Sequence, residues 1–160
     1  EARRRAAANG VAVDFVQADG EWLPFADRCF DRIWGNAVLH HLDLDRAGRE
    51  LFRVLRPGGM AVLCEPWGEN PLLRWARQCL PYPGKERTVD EQPLRRRHVH
   101  LLGRIFPRVE VQGFQLVSMV RRLLGRGRLV AGLDWCDRLL LTHLPGLQRF
   151  CRYVVLILGR

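Results

Sequence analysis

Apolar residues recur along this chain at two spacings, and the switches between them divide it into elements. Glu1 to Asn9, rich in Ala and Arg, reads as the end of a helix, stopped by Asn9-Gly10. Val11, Val13, Phe15 and Val16 are β-branched or aromatic and predict a strand over 11–17, ended by Asp19-Gly20. Phe30 to Gly35 predicts a second short strand. Helical spacing follows over 45–55, with Ala47, Leu51 and Leu55 on one face. Arg56-Pro57-Gly58-Gly59 predicts a hard turn. Met60 to Cys64 then forms the near-continuous apolar run of a strand buried on both faces. Strand, helix and strand at these intervals give the βαβ rhythm of an α/β fold with a parallel sheet.

After Glu65 the chain changes character. Pro71 to Leu80 predicts a helix, Tyr82 to Thr88 a loop, and Asp90 to Phe106 a helix with an acidic first turn. Val109 to Val111 is a short strand and Tyr153 to Leu158 a stronger one. Between them, 113–149 reads as a helical insert broken by Gly125, Gly127 and Gly132 and closed by Pro145-Gly146. The 160 residues form one domain with no repeat or low-complexity stretch. No apolar run approaches the ~18 residues of a membrane span.

Charge sharpens the division. Residues 1–93 hold 13 basic and 14 acidic side chains, while 94–160 hold 13 and 3, a net +10. A basic half suits an anionic substrate, a membrane surface or nucleic acid, or simply a solvated face. Arg95-Arg96-Arg97 and Arg121-Arg122 lack the interleaved aromatics of a nucleic-acid surface, so no nucleic-acid partner is expected. The five cysteines show no C-x-x-C spacing, which argues against a zinc site or disulfide framework and for thiols in a reducing cytoplasm. His98 and His100, two apart, point to different faces of a helix and make a poor metal pair.

Three segments in order carry more than periodicity: Val13-Asp14-Phe15-Val16-Gln17-Ala18-Asp19-Gly20-Glu21-Trp22-Leu23-Pro24-Phe25, then Phe30-Asp31-Arg32-Ile33-Trp34-Gly35-Asn36-Ala37-Val38-Leu39-His40-His41-Leu42, then Leu55-Arg56-Pro57-Gly58-Gly59-Met60-Ala61-Val62-Leu63. Together they resemble the class I S-adenosylmethionine-dependent methyltransferases, in the small-molecule branch called type 11. The resemblance covers residues 1 to about 67 well, and 107–112 and 152–160 weakly. It implies a Rossmann-like parallel sheet with a final antiparallel strand, Tyr153 to Leu158, between 60–64 and 109–111. That family's glycine-rich loop, and the acidic residue after its second strand, lie upstream of the helix in which this sequence opens. The chain, beginning with Glu1, is therefore expected to be an N-terminally truncated, partial methyltransferase domain lacking the first strands.

The resemblance also assigns roles. Asp19 would accept from the adenine amine of S-adenosylmethionine; by position alone it is equally an acidic residue capping its own turn. Gly20 would let its backbone approach the adenine ring, and Leu23 and Phe25 would be core or adenine-wall residues. Asn36 would line the methionine end of the cofactor. His40 and His41 invite a general-base reading, His41 the better candidate, against a bland role in shaping the pocket wall. Glu65 sits at the carboxyl end of a strand, where open α/β sheets bind ligands, and would orient or deprotonate the acceptor, or merely cap a loop. The expected activity is methyl transfer to a small or lipid-like acceptor. The insert would close the sheet, cover the acceptor as a lid, or touch anionic membrane peripherally. A degenerate scaffold binding an anionic partner and a nicotinamide-dependent oxidoreductase on a similar sheet are the competing readings.

Overall fold

A computed structural model describes residues 1–79, 92–120 and 128–160. Four strands form one sheet in the order β1-β2-β4-β3: β1 (Phe30–Asn36), β2 (Leu55–Pro66), β3 (Arg108–Phe114) and β4 (Tyr153–Gly159). β1 and β2 are parallel, with Ile33 opposite Ala61 and Asn36 opposite Cys64. β4 runs antiparallel between β2 and β3, as expected. The helices are α1 (Ala2–Ala8), α2 (Leu44–Val54), α3 (Pro71–Cys79), α4 (Arg96–Leu102) and α5 (Arg128–His143).

The core lies between one face of the sheet and helices α2 and α4. Ala61, Leu63, Val154, Leu156 and Leu158 meet Ala47, Leu51, Leu102 and Phe106 there. The opposite face, carrying Met60, Val62 and Cys64, is only partly covered. The run 60–64 is therefore not buried equally on both sides, although its composition suggests that it should be. Composition reports what a face tolerates, and half-covered apolar positions are common in proteins.

Three expectations need correction. Residues 11–17 form no strand: Val11, Val13, Phe15 and Val16 are exposed, and no ladder partner lies beside them among the described residues. β-propensity describes fit to a pleated neighbour, and without the neighbour it produces nothing. The helix expected over 90–106 is described only as α4. Pro93 lacks an N–H and disfavours helix in the residue before it, so 92–95 is extended and Leu94 bridges to Trp67. The Arg56–Gly59 turn is not outside a strand but inside β2, where the register jumps from Phe30 opposite Leu55 to Arg32 opposite Met60. Gly58, at φ +77°, permits this bulge. Leu80, the loop over 82–88, Asp90 and Glu91, and Arg121 to Gly127 of the insert lie outside the described residues. In the rest of 113–149, Gly113 and Phe114 belong to β3, and α5 and a 3₁₀ segment at Pro145–Phe150 are helical.

α2 runs into β2 without a loop, Val54 being followed directly by strand, so its last carbonyls lack the usual glycine cap. Arg160 replaces it: its Nη1 donates to the carbonyls of Phe52, Arg53 and Leu55 at 2.5, 2.9 and 2.7 Å. At the other end of α2, Asp43 accepts from the N–H groups of Asp45 and Arg46.

The segment 19–28 is an arm laid along α2. Glu50 Oε2 accepts from the Leu23 N–H at 2.9 Å, and Arg53 donates to the carbonyls of Leu23 and Phe25. Glu50 and Arg53 also pair with each other at 2.8 Å. The hydrogen bond from Arg53 holds the Glu50 carboxyl below its ordinary range. A depressed carboxylate stabilises the fold above the unfolded pKa and loses that contribution as pH falls through the folded one. Glu50→Gln should therefore cost about 1–2 kcal/mol at neutral pH, measured by urea unfolding. The gap to the parent should close in acid. A gap constant from neutral to acid pH would show that the arm is not held by this charge.

Candidate functional site

The site is built at the carboxyl end of the parallel pair, where β1 and β2 stop side by side. β1 ends at Asn36, and the chain turns through Ala37 at φ +55°, whose N–H donates to the Cys64 carbonyl at 2.8 Å. Positive φ outside glycine is uncommon and marks a constrained turn. A 3₁₀ turn over Leu39–His41 follows.

Glu65 holds this turn in place. Its side chain is fully buried, yet all of its acceptor capacity facing the turn is used. Oε1 accepts from the N–H groups of Val38 and Leu39, both at 2.9 Å, and Oε2 is 2.8 Å from His40 Nδ1. Burying a carboxylate is costly unless hydrogen bonds replace its water, and here three donors do so. An ionised carboxylate only accepts, so the His40 proton sits on Nδ1 and leaves Nε2 with a lone pair. Nε2 has no protein partner among the described residues. The His40 side chain is 8% exposed, and its ring lies against that of His41, tilted by 39°, with centroids 3.9 Å apart.

The histidine that the carboxylate orients is thus His40. His41 is exposed and touches Glu65 only through His40. Two adjacent histidines in a tight turn point in different directions, and the sequence does not say which meets the buried acid. Beyond Glu65, Trp67 is buried and its indole N–H has no hydrogen-bond partner.

The arm brings Asp19 and Gly20 to the same edge. Glu21 Oε1 accepts from the Asp43 N–H at 2.7 Å, tying the arm to the loop after His41. Gly20 packs on Leu42 so closely that a Cβ would lie 2.7 Å from Leu42 Cδ1. A larger residue there would displace the Leu42 side chain. Asp19 Oδ1 accepts from the Glu21 N–H at 2.9 Å, while Oδ2 is uncommitted among the described residues. So is the side-chain amide of Asn36, and both residues are exposed. Gly20 and Gly35 line one apolar pocket of ≈ 320 Å³ with Leu23, Phe25, Leu39 and Leu63. Asp19 and Asn36, their chain neighbours, therefore flank that pocket. Among the described residues no group of His, Cys, Asp and Glu is arranged to hold a metal ion.

Comparison with known proteins bears on the domain as a whole. Residues 1–63 match the family model of a methyltransferase domain. The chain is 37% identical over 94 residues to a ubiquinone/menaquinone biosynthesis C-methyltransferase UbiE from Bartonella tribocorum, a match covering 52% of this chain and 35% of that protein. It spans about a third of the length of the curated relatives of this kind that it matches. Among solved structures it superposes on a geranyl diphosphate methyltransferase bound to geranyl diphosphate and sinefungin. The TM-score is 0.57 at 20% identity, covering 98% of this chain and 57% of that one. It also superposes on the [4+2]-cyclase SpnF at TM-score 0.56 and 21% identity, covering 99% and 60%. At such identities the superpositions speak for the fold, an α/β methyltransferase-like sheet, and not for a reaction. Over residues 1–63, then, this chain is similar to a methyltransferase domain.

Proposed function

We propose that this chain supplies the cofactor- and acceptor-facing edge of an S-adenosylmethionine-dependent methyltransferase acting on a small or lipid-like acceptor. The observation that carries the reading is the convergence of Asp19, Asn36 and the Glu65–His40 pair on the carboxyl end of one parallel strand pair. The name of one similar protein, a ubiquinone/menaquinone biosynthesis C-methyltransferase, supports a lipid-like acceptor.

The residues present fit the cofactor in donor chemistry. Asp19 Oδ2, exposed and without a protein partner, can accept from an exocyclic amine. Leu23 and Phe25 give the pocket beside it an apolar wall suited to an adenine ring. Asn36 offers an uncommitted amide and a backbone carbonyl at the strand end. S-adenosylmethionine would supply a methyl group made electrophilic by its sulfonium. The protein then has to align the nucleophile and receive its proton. His40 is the group equipped for the second task, because Glu65 fixes its tautomer with Nε2 free to accept. Glu65 itself, buried and spent on the turn, acts through His40 as a positioning residue.

Two outcomes follow for the full-length protein. Asp19→Ala should weaken S-adenosylmethionine binding by roughly 1–3 kcal/mol in calorimetric titration, and Asp19→Asn by less, because its amide oxygen still accepts. Unchanged affinity in Asp19→Ala would remove Asp19 from the site. His40→Ala should lower kcat by about 10²–10⁴-fold with the KM for cofactor little changed. Glu65→Gln should lower kcat in the same direction, also with the KM for cofactor little changed. A melting curve on each variant separates these effects from unfolding. An unaltered kcat in a folded His40→Ala protein would contradict the base assignment.

A further inference from the structure

The helix α5 is apolar on both sides. Its inner side, with Leu133, Cys136, Asp137, Leu140 and Leu141, is turned toward the protein. Asp137 anchors that side: its buried carboxylate accepts from the N–H groups of Leu116, Val117 and Ser118 and from the Ser118 hydroxyl at 2.6 Å. The helix therefore cannot roll to bury its other face. On that outer face, Trp135 is 58% exposed and Leu139, one turn on, is 40% exposed. Leu144, just past the helix, is 54% exposed. Large apolar side chains clustered in water mark an interaction surface.

The charges beside this face have one sign. Arg138 is exposed at the flank of this face, where it also borders the groove toward Gln112 and Gly113, and Arg149 is exposed in the 3₁₀ segment that follows. The two acids of the helix are withdrawn, Asp137 fully and Asp134 half-buried. The surrounding sequence, 94–160, carries 13 basic and 3 acidic residues. A protein partner would be expected to meet apolar residues with apolar residues and needs no such bias. An anionic lipid surface offers an apolar layer beneath a negative one, and Trp and Leu on one helix face with Arg at its flank match both layers.

We propose that the outer face of α5, with Trp135, Leu139 and Leu144 inserted and Arg138 and Arg149 on the headgroups, docks the protein peripherally on anionic membrane. No described helix is long and apolar enough to cross a membrane, so the contact is with the surface. The proposal does not depend on the methyl-transfer reading, because its test reads lipid binding alone.

Flotation of the protein with phosphatidylglycerol-containing vesicles, against vesicles of phosphatidylcholine alone, tests it. Binding should require the anionic lipid and weaken as salt is raised. Arg138→Ala should lower the partition coefficient about fivefold, as expected for one arginine at a charged surface. Trp135→Ser with Leu139→Ser should lower it at least about tenfold, with an unchanged melting curve because neither side chain is buried. Equal binding to neutral vesicles, or binding unaffected in the Trp135/Leu139 variant, would overturn the proposal. So would a failure to bind either vesicle, or self-association in solution that the same variant abolishes, which would make a second copy the occupant of this face.

Discussion

The buried carboxylate of Glu65 is the constraint on which the rest of the site depends. It sits at the end of β2 with no exposure to water, and its stability there rests on three donors from a neighbouring turn. The dependence runs both ways. The turn after β1 leaves two backbone N–H groups without strand or helix partners, and Ala37 in a left-handed conformation. Glu65 absorbs both N–H groups and fixes the histidine that follows. A neutral side chain of the same shape cannot do this, because an amide presents a donor where a second acceptor is required.

The remaining pieces are tied to α2, the helix that follows that turn. Glu21 and Glu50 are the acids that bind the arm 19–28 to the start and middle of α2, and α2 follows immediately from the turn. Arg160, from the end of the chain, closes the far end of the same helix by covering three carbonyls. Asp19 is thus placed through Glu21, whose carboxylate accepts from the Asp43 N–H, and through the packing of Gly20 on Leu42. The site is shaped at the sheet edge by one buried acid and held from outside by several half-buried ones.

How much of this could be read in the sequence follows from where the information resides. β2, β4 and α2 were legible because their apolar spacing is fixed by the core they face. The strand expected over 11–17 failed because the residues there express only a preference for a pleated neighbour, and none stands beside them. The helix over 90–106 was drawn too long because an acidic first turn outweighed Pro93, which governs the backbone more strictly. The edge location of Asn36 and Glu65 could be inferred from strand ends, whereas Asp19 and Gly20 follow a segment that forms no strand. What could not be inferred was connectivity through side chains separated by tens of residues: Glu65 to His40 rather than His41, and Arg160 to the end of α2. Such partners are chosen by three-dimensional proximity, on which local spacing is silent.

The central claim, that a buried Glu65 carboxylate orients His40, is tested most directly by the tautomer of His40. Nitrogen-15 chemical shifts of its imidazole, in protein labelled at histidine and assigned with a His40→Gln variant, report which nitrogen carries the proton. The account predicts a protonated Nδ1 and an unprotonated, acceptor-type Nε2 in the neutral ring. It also predicts that Glu65→Gln abolishes this preference while the protein stays folded. A neutral His40 protonated at Nε2, indifferent to the Glu65 substitution, would contradict it.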